Sequence, residues 1–182
     1  MQDKIILLVG ESASGKDRLA NRLEQDGYKV LKSYATRPKR EGEGNTHVFI
    51  TNEEVDKYKK EMIAYTKIGS LEYFATLSQL YDNDIYIIDP SGIDYMNKKI
   101  KDIKSIVVYI NVDEQTRIKR ARKRGDKEEV WQKRFVDELN QFTEFKKKAK
   151  FDYSICNYDF DKAYKILKFI VDTEMKENKI DG

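Results

Sequence analysis

The spacing of apolar and polar residues changes along this chain, and each change marks a change of element. Lys4 to Val9 is a near-continuous apolar run, the pattern of a strand covered on both faces. Leu19, Ala20 and Leu23 then fall at helical spacing, which predicts a helix over Lys16 to Gln25 that Gly27 ends. Tyr28 to Lys32 reads as a second strand, so the chain opens with a strand-helix-strand unit, parallel and right-handed.

The rhythm then breaks. Ser33 to Asn45 is polar, irregular and basic at its centre. His47 to Ile50, Met62 to Lys67 and Leu71 to Phe74 read as short strands. Thr51 and Glu54 have the spacing of a capping box that opens a helix through about Lys60, and Thr76 begins another short helix. Short strands with little helix between them predict a small, mostly antiparallel insert on a parallel core. Core rhythm returns with strands at Asp84 to Asp89, Ser105 to Asn111 and Tyr153 to Cys156. Between and after them come helical patterns at Gly92 to Lys98, after Asp113 as N-cap, at Lys127 to Lys148, and at Asp159 to Lys176. The last of these shows Ala163, Ile166, Leu167, Ile170 and Val171 at helical spacing. The pattern reads as α/β with a parallel core sheet; together with the loop motif between the first strand and helix, the fold class expected is a three-layer sandwich of the phosphate-loop type.

The turn between the first strand and helix carries the chemistry. Gly10-Glu11-Ser12-Ala13-Ser14-Gly15-Lys16-Asp17 satisfies G-x-x-x-x-G-K-[ST] up to its last position. Glycines let such a loop turn its N–H groups inward, and the helix start adds a positive dipole end. Lys16 then reaches the β- and γ-phosphates of a bound nucleotide. Asp17 stands where a hydroxyl would ligate Mg²⁺; its carboxylate can hold that hard cation directly or through a water ligand. Asp84 to Asp89 also ends in a carboxylate, and the carboxyl ends of parallel strands face the ligand crevice.

Composition narrows the class. The chain has 182 residues, enough for one domain with a sizeable core, and 37% of them are charged. A net charge of +3 is too small to argue for nucleic acid as a partner. One cysteine, Cys156, allows no internal disulfide; it is expected in the core and fits a reducing cytoplasm. Ile5 to Val9 is too short to span a bilayer, and no membrane partner is expected. Arg117, Arg120, Arg122 and Arg124 cluster on one helix, which suits a solvated face, a nucleic-acid patch or a lid over an anion. Lys146, Lys147 and Lys148 read as a solvated helix end, and Trp131 with Phe135 as packing. The single histidine, His47, is a poor metal site by itself.

Four stretches, in order, resemble the guanylate kinase family of nucleoside monophosphate kinases: the phosphate loop; Ser33-x-x-Thr36-Arg37-Pro38-x-Arg40-x-Gly42-Glu43; Tyr73-Phe74-Ala75-Thr76; and Asp152-Tyr153-Ser154-Ile155-Cys156-Asn157. The resemblance implies a five-stranded core (1–32, 81–118 and 136–182), an acceptor-binding insert at 33–80 and a mobile lid at 119–135. It implies ATP as co-substrate with Mg²⁺, held by Gly10, Ser12, Ala13, Ser14, Gly15, Lys16, Asp17, Arg120, Arg124 and Asn157. It implies an acceptor site of Ser33, Arg37, Arg40, His47, Tyr73, Thr76 and Asp89, with Lys16, Arg37, Arg120 and Arg134 stabilising the transferred phosphoryl group. Its partners would be small nucleotides, and the molecule a monomer or homodimer.

Three departures bear on the acceptor. His47 and Phe74 stand where the family has tyrosines that touch the acceptor phosphate, and Ala64 stands where it has a guanine-reading Glu. The reaction the resemblance implies is in-line transfer of the ATP γ-phosphoryl group to GMP or dGMP, without a catalytic base, because a phosphate nucleophile is already anionic. A kinase of the same fold with a different acceptor stays open as an alternative, either another (deoxy)nucleoside monophosphate or a ribose bisphosphate-type sugar phosphate, since ribose bisphosphokinases also carry Asp after the loop lysine. A non-catalytic interaction module on the same fold is a further alternative, although retention of Gly10, Gly15 and Lys16 speaks against it.

Overall fold

Strand β1 (Lys4–Val9) is buried along its whole length, and its side chains divide between two apolar layers. Ile5, Leu7 and Val9 pack on one face of the sheet, Ile6 and Leu8 on the other, as the two-residue period of a strand requires. The computed structural model describes residues 3–39, 45, 47–68 and 70–176.

The core sheet has five parallel strands in the order β2 (Val30–Leu31), β7 (Ile85–Ile87), β1, β8 (Lys104–Asn111) and β9 (Tyr153–Cys156). Helices α1 (Lys16–Gln25) and α6 (Phe160–Lys176) cover one face through Leu19, Leu23, Ala163 and Leu167. Helices α3 (Pro90–Lys99) and α5 (Glu128–Lys147) cover the other through Ile93, Met96, Phe142 and Phe145. Each fully buried Leu or Ile contributes about 1.5–3 kcal/mol, so these two layers supply most of the stability. Helix α4 (Glu114–Lys123) follows β8, and Gly125 at φ +86° turns the chain into α5.

A second sheet of four strands carries the order β4 (Val48–Phe49), β3 (Tyr34–Ala35), β6 (Leu71–Thr76), β5 (Met62–Ile68). It is mixed: β3 pairs parallel with β4 and antiparallel with β6, and β5 with β6 is antiparallel. Phe74, Met62 and Val55 form its own small core, with Tyr34 stacked on Phe74 at 5.0 Å.

Several expectations need correction. Strand β3 lies inside the stretch read as irregular; two residues are too few to show a period. The Thr51/Glu54 capping box forms, but the segment it opens is a 3₁₀ helix, Asn52–Tyr58. Cys156 is exposed, because Ile155 takes the inward position on β9 and alternation turns its neighbour out. Ile166, counted in the apolar stripe of α6, is also exposed. Among the described residues, no helix is long and apolar enough to cross a membrane.

Candidate active site

Residues 10–15 connect β1 to α1 at the carboxyl edge of the core sheet. The path needs two left-handed residues: Gly15 at φ +90° and Ala13 at φ +64°. At Gly15 a Cβ would come within 2.5 Å of Asn157 Nδ2, and at Gly10 within 2.6 Å of Ser14 Oγ and 2.9 Å of the Ile110 carbonyl. Glycine is thus required at both positions by close approach. The α1 N-terminus has no side-chain cap, so its first N–H groups remain available to an anion. Lys16, 18% exposed, holds its ammonium 3.7 Å from the Asp17 carboxylate, which is itself 60% exposed.

The loop is braced from behind. Asn157, buried after β9, donates from Nδ2 to the Ser14 carbonyl at 2.8 Å, and Arg120 from α4 donates to the same carbonyl at 3.2 Å. Arg120 also donates to the Asn157 carbonyl at 2.5 Å. Arg117 donates to the Ser12 carbonyl at 3.4 Å and stacks over Phe135. Ser14 Oγ, Arg117 Nε and Asn157 Oδ1 are buried without partners. A buried hydroxyl donor and amide acceptor beside an anion loop are polar groups left for a ligand or water to satisfy.

Glu11 is buried under the loop. Tyr109 donates its hydroxyl to Glu11 Oε2 at 2.8 Å, and Lys146 places its ammonium 2.8 Å from Oε1. Burial first, then the Glu11 charge, pushes the Tyr109 phenol far above its ordinary range. Lys146 is therefore not simply part of a solvated helix end. On the outer side, Glu138 of α5 accepts from the Ser12 N–H at 2.9 and 3.1 Å and from Ser12 Oγ at 2.6 Å.

Beside the loop, β7 runs parallel to β1 with Ile87 opposite Leu8, and the Ile88 N–H donates to the Leu8 carbonyl at 3.1 Å. Neighbouring strands lie about 4.8 Å apart. Asp89 therefore leaves the sheet at the same edge, one strand away from the phosphate loop. A cavity of about 200 Å³ opens there, walled by Ser33, His47, Ala64, Thr66, Tyr73 and Asp89 among others. Asp89 Oδ1 caps α3, accepting from the Gly92 N–H at 2.7 Å and Ser91 Oγ at 2.6 Å. Among the described residues Oδ2 accepts from Thr66 Oγ1, at 3.4 Å, and keeps accepting capacity toward the cavity. Ser33 Oγ and His47 Nδ1 are hydrogen-bonded at 2.9 Å. Phe74, the second residue of its motif, is 1% exposed and lines the floor.

The sequence candidates divide accordingly. Gly10, Ser12, Ala13, Ser14, Gly15, Lys16, Asp17, Arg120 and Asn157 come together at the loop. Ser33, His47, Tyr73 and Asp89 come together at the cavity. Thr76 does not join them; it caps α2 (Leu77–Asp82), with Gln79 completing the box. Arg37 is buried with its guanidinium over the Phe49 ring and a bond to the Pro38 carbonyl at 3.0 Å, outside the cavity wall. Arg40 lies outside the described residues. Arg124 turns to Asp126, whose hydrogen bonds hold it above its usual range, with the charges of Asp126 and Asp17 adding to the effect. Arg134 is half-buried on α5, four residues before Glu138. Among the described residues there is no group of three or more His, Cys, Asp or Glu side chains that could hold a metal ion. Glu138, Lys146 and Thr66 were not legible as site residues, since each reaches the site through tertiary packing of α5 or β5; Glu11 sits within the loop motif, but its burial against Tyr109 and Lys146 depends on β8 and α5.

A glycine-bounded loop between β1 and α1 and a pocket walled by Asp89 at the adjacent strand end are features of the phosphate-loop class of fold. The family model for guanylate kinase matches residues 2–174. The guanylate kinase of Haemophilus influenzae is 26% identical over 188 residues, covering 95% of this chain and 89% of that one. That of Buchnera aphidicola is 29% identical, over 95% of this chain and 89% of its own. The crystal structure of the Anaplasma phagocytophilum guanylate kinase superposes with a TM-score of 0.67 at 20% identity, over 96% of this chain and 87% of that one. The chain belongs to the guanylate kinase family of nucleoside monophosphate kinases.

Proposed function

We propose that this chain transfers the γ-phosphoryl group of ATP to the phosphate of GMP or dGMP. One observation carries the reading: the phosphate loop and the Asp89 pocket leave neighbouring parallel strands at one edge of the sheet, so a donor polyphosphate and an acceptor share a cleft. The acceptor follows from chemistry. Guanine presents adjacent N–H donors on its pairing edge, and Asp89 Oδ2 offers an anionic acceptor. Adenine presents an acceptor at the corresponding ring nitrogen and would face that carboxylate unfavourably. Glu72 does not replace the family's missing Glu: its charge acts on Tyr65 and it lies outside the cavity wall, so among the described residues Asp89 is the carboxylate that lines the cavity.

Transfer needs alignment and charge neutralisation more than covalent chemistry. Lys16 and the first N–H groups of α1 hold the donor phosphates. Arg120, fixed by the Ser14 and Asn157 carbonyls, keeps the loop in its binding shape while adding positive charge. Arg37 and Arg40 grip the acceptor phosphate once the insert closes over it, and Arg134 comes in with the lid. Asp17 is the residue that would hold Mg²⁺, which supplies neutralisation of the phosphate oxygens. The acceptor phosphate, already an anion, attacks without deprotonation by the protein.

The test is ADP release with a panel of nucleoside monophosphates and ribose bisphosphate. GMP and dGMP should exceed AMP, CMP and UMP by at least about a hundredfold in kcat/KM, because a mispaired buried polar edge is rejected by that much or more. Preference for any other acceptor in the panel would overturn the assignment.

A further inference from the structure

Glu138 binds the phosphate loop where an anion would bind it. Both of its oxygens approach the Ser12 N–H, and one accepts from the Ser12 hydroxyl at 2.6 Å. A carboxylate taking an outward-facing amide and hydroxyl of an anion loop has the chemistry of the ligand that loop is built for. Glu138 comes from α5, 126 residues along the chain, so the contact ties that helix to the loop.

A place for the carboxylate to go already exists. Glu138 also lines a cavity of about 310 Å³ between α5, the carboxyl end of β8 and the start of α4. Arg117 and Lys146 line the same cavity. Arg117 is 8% exposed, and its Nε is buried with no hydrogen-bond partner. Lys146 lies about two turns beyond Glu138 on α5 and is bound to Glu11 at 2.8 Å. A carboxylate leaving Ser12 therefore borders a space lined by a guanidinium and an ammonium.

We infer that Glu138 is a positioning residue that occupies the phosphate loop in the nucleotide-free protein and is displaced by the terminal phosphate of the incoming polyphosphate, turning toward Arg117 and Lys146. The contact holds α5 against the loop before nucleotide binds and hands it over when nucleotide arrives. The polyphosphate must compete with an internal anion, so apparent affinity is reduced by the fraction of molecules in which the loop is free. The inference rests on the loop being the donor-phosphate site, but not on the identity of the acceptor.

The test is calorimetric titration of the full chain with inorganic tripolyphosphate, without acceptor. Glu138→Ala should bind it about tenfold more tightly than the wild type, and the isosteric Glu138→Gln by a smaller factor in the same direction. The KM for ATP should fall in both variants while the KM for the acceptor stays within twofold. A purely structural role predicts the opposite sign, since a loosened α5 would weaken binding. Equal or weaker binding in Glu138→Gln, with a circular dichroism spectrum like the wild type's, would overturn the inference whether or not Glu138→Ala folds. If wild type and variants alike fail to bind tripolyphosphate, the donor-site reading fails with it; if they bind equally and GDP is still formed, only the role of Glu138 falls.

Discussion

At the scale of single residues, the loop tolerates little. Gly15 combines φ +90° with a neighbour, Asn157 Nδ2, that a Cβ would meet at 2.5 Å. Gly15→Ala should therefore cost about 1–3 kcal/mol from backbone strain alone. At about 2–4 °C per kcal/mol for a chain of this size, the midpoint of thermal melting should drop by several degrees. ATP affinity should fall at the same time, because the displaced Asn157 no longer braces the Ser14 carbonyl; melting curves and ATP titration check both. Asp89 separates two roles by oxygen atom, Oδ1 capping α3 and Oδ2 facing the cavity. Asn is as good an N-cap as Asp. Asp89→Asn should thus melt within a few degrees of the wild type while losing at least about a hundredfold in kcat/KM for GMP. Equal losses of stability and activity would show that Asp89 acts only as a cap.

The site residues that could be read from sequence belong to contiguous motifs. The glycines, Lys16 and Asp17 are set by spacing within one strand-turn-helix unit, and Asp89 by its place at a strand end. Glu138 and Lys146 were invisible because no short-range pattern shows which side of a twenty-residue helix meets the loop. Cys156 was misplaced for a related reason: apolar character suggested burial, but on a strand one side chain in two faces out. Thr76 shows the converse limit, since a motif position near the acceptor site was taken up by local capping of α2.

At the scale of elements, the phosphate loop is held by its neighbours as much as by its own sequence. Helix α4 supplies Arg117 and Arg120, the turn after β9 supplies Asn157, and α5 supplies Lys146 and Glu138. Lys146→Met removes the ammonium that faces Glu11, a carboxylate 4% exposed, and leaves it only the Tyr109 hydroxyl. Lys146 itself is about half exposed, which screens the pair. The loss should be about 1–2 kcal/mol, the scale of one charge-assisted bond, read as a lower urea midpoint with unchanged slope. The helices of the core were legible as whole elements because their buried faces repeat over ten or more residues. The insert was harder: two-residue strands such as β3 and β4 offer no period, and their pairing is set by contacts with β6 rather than by their own residues.

Across the whole molecule, tyrosines tie the layers together and set an alkaline limit. Tyr164 of α6 donates to Asp26 after α1, and burial, then that bond and the Asp26 charge, push its phenol up to about 12. Tyr28 is raised by burial and by its bond to Asp172, and Tyr86 and Tyr109 are raised further still, mainly by burial. In each case the folded pKa lies above the unfolded value near 10, so the folded chain binds more protons above that pH. Stability from these groups is fully present below pH 10 and is lost as pH rises through the folded values. Melting temperatures should be flat from pH 8 to 9.5 with respect to these groups and fall steeply above 10; Tyr164→Phe should flatten part of that fall.

The same global arrangement underlies the proposed function: two parallel strands bring the phosphate loop and the Asp89 pocket side by side at one edge of the sheet. The most direct measurement is product analysis of a mixture of ATP, Mg²⁺ and GMP with the wild-type chain and with Lys16→Met. The wild type should form GDP and ADP in one-to-one ratio, and Lys16→Met should form both at least about a hundredfold more slowly. ADP accumulating without GDP, or GDP formed equally well by both proteins, would contradict phosphoryl transfer from this loop to a guanine nucleotide.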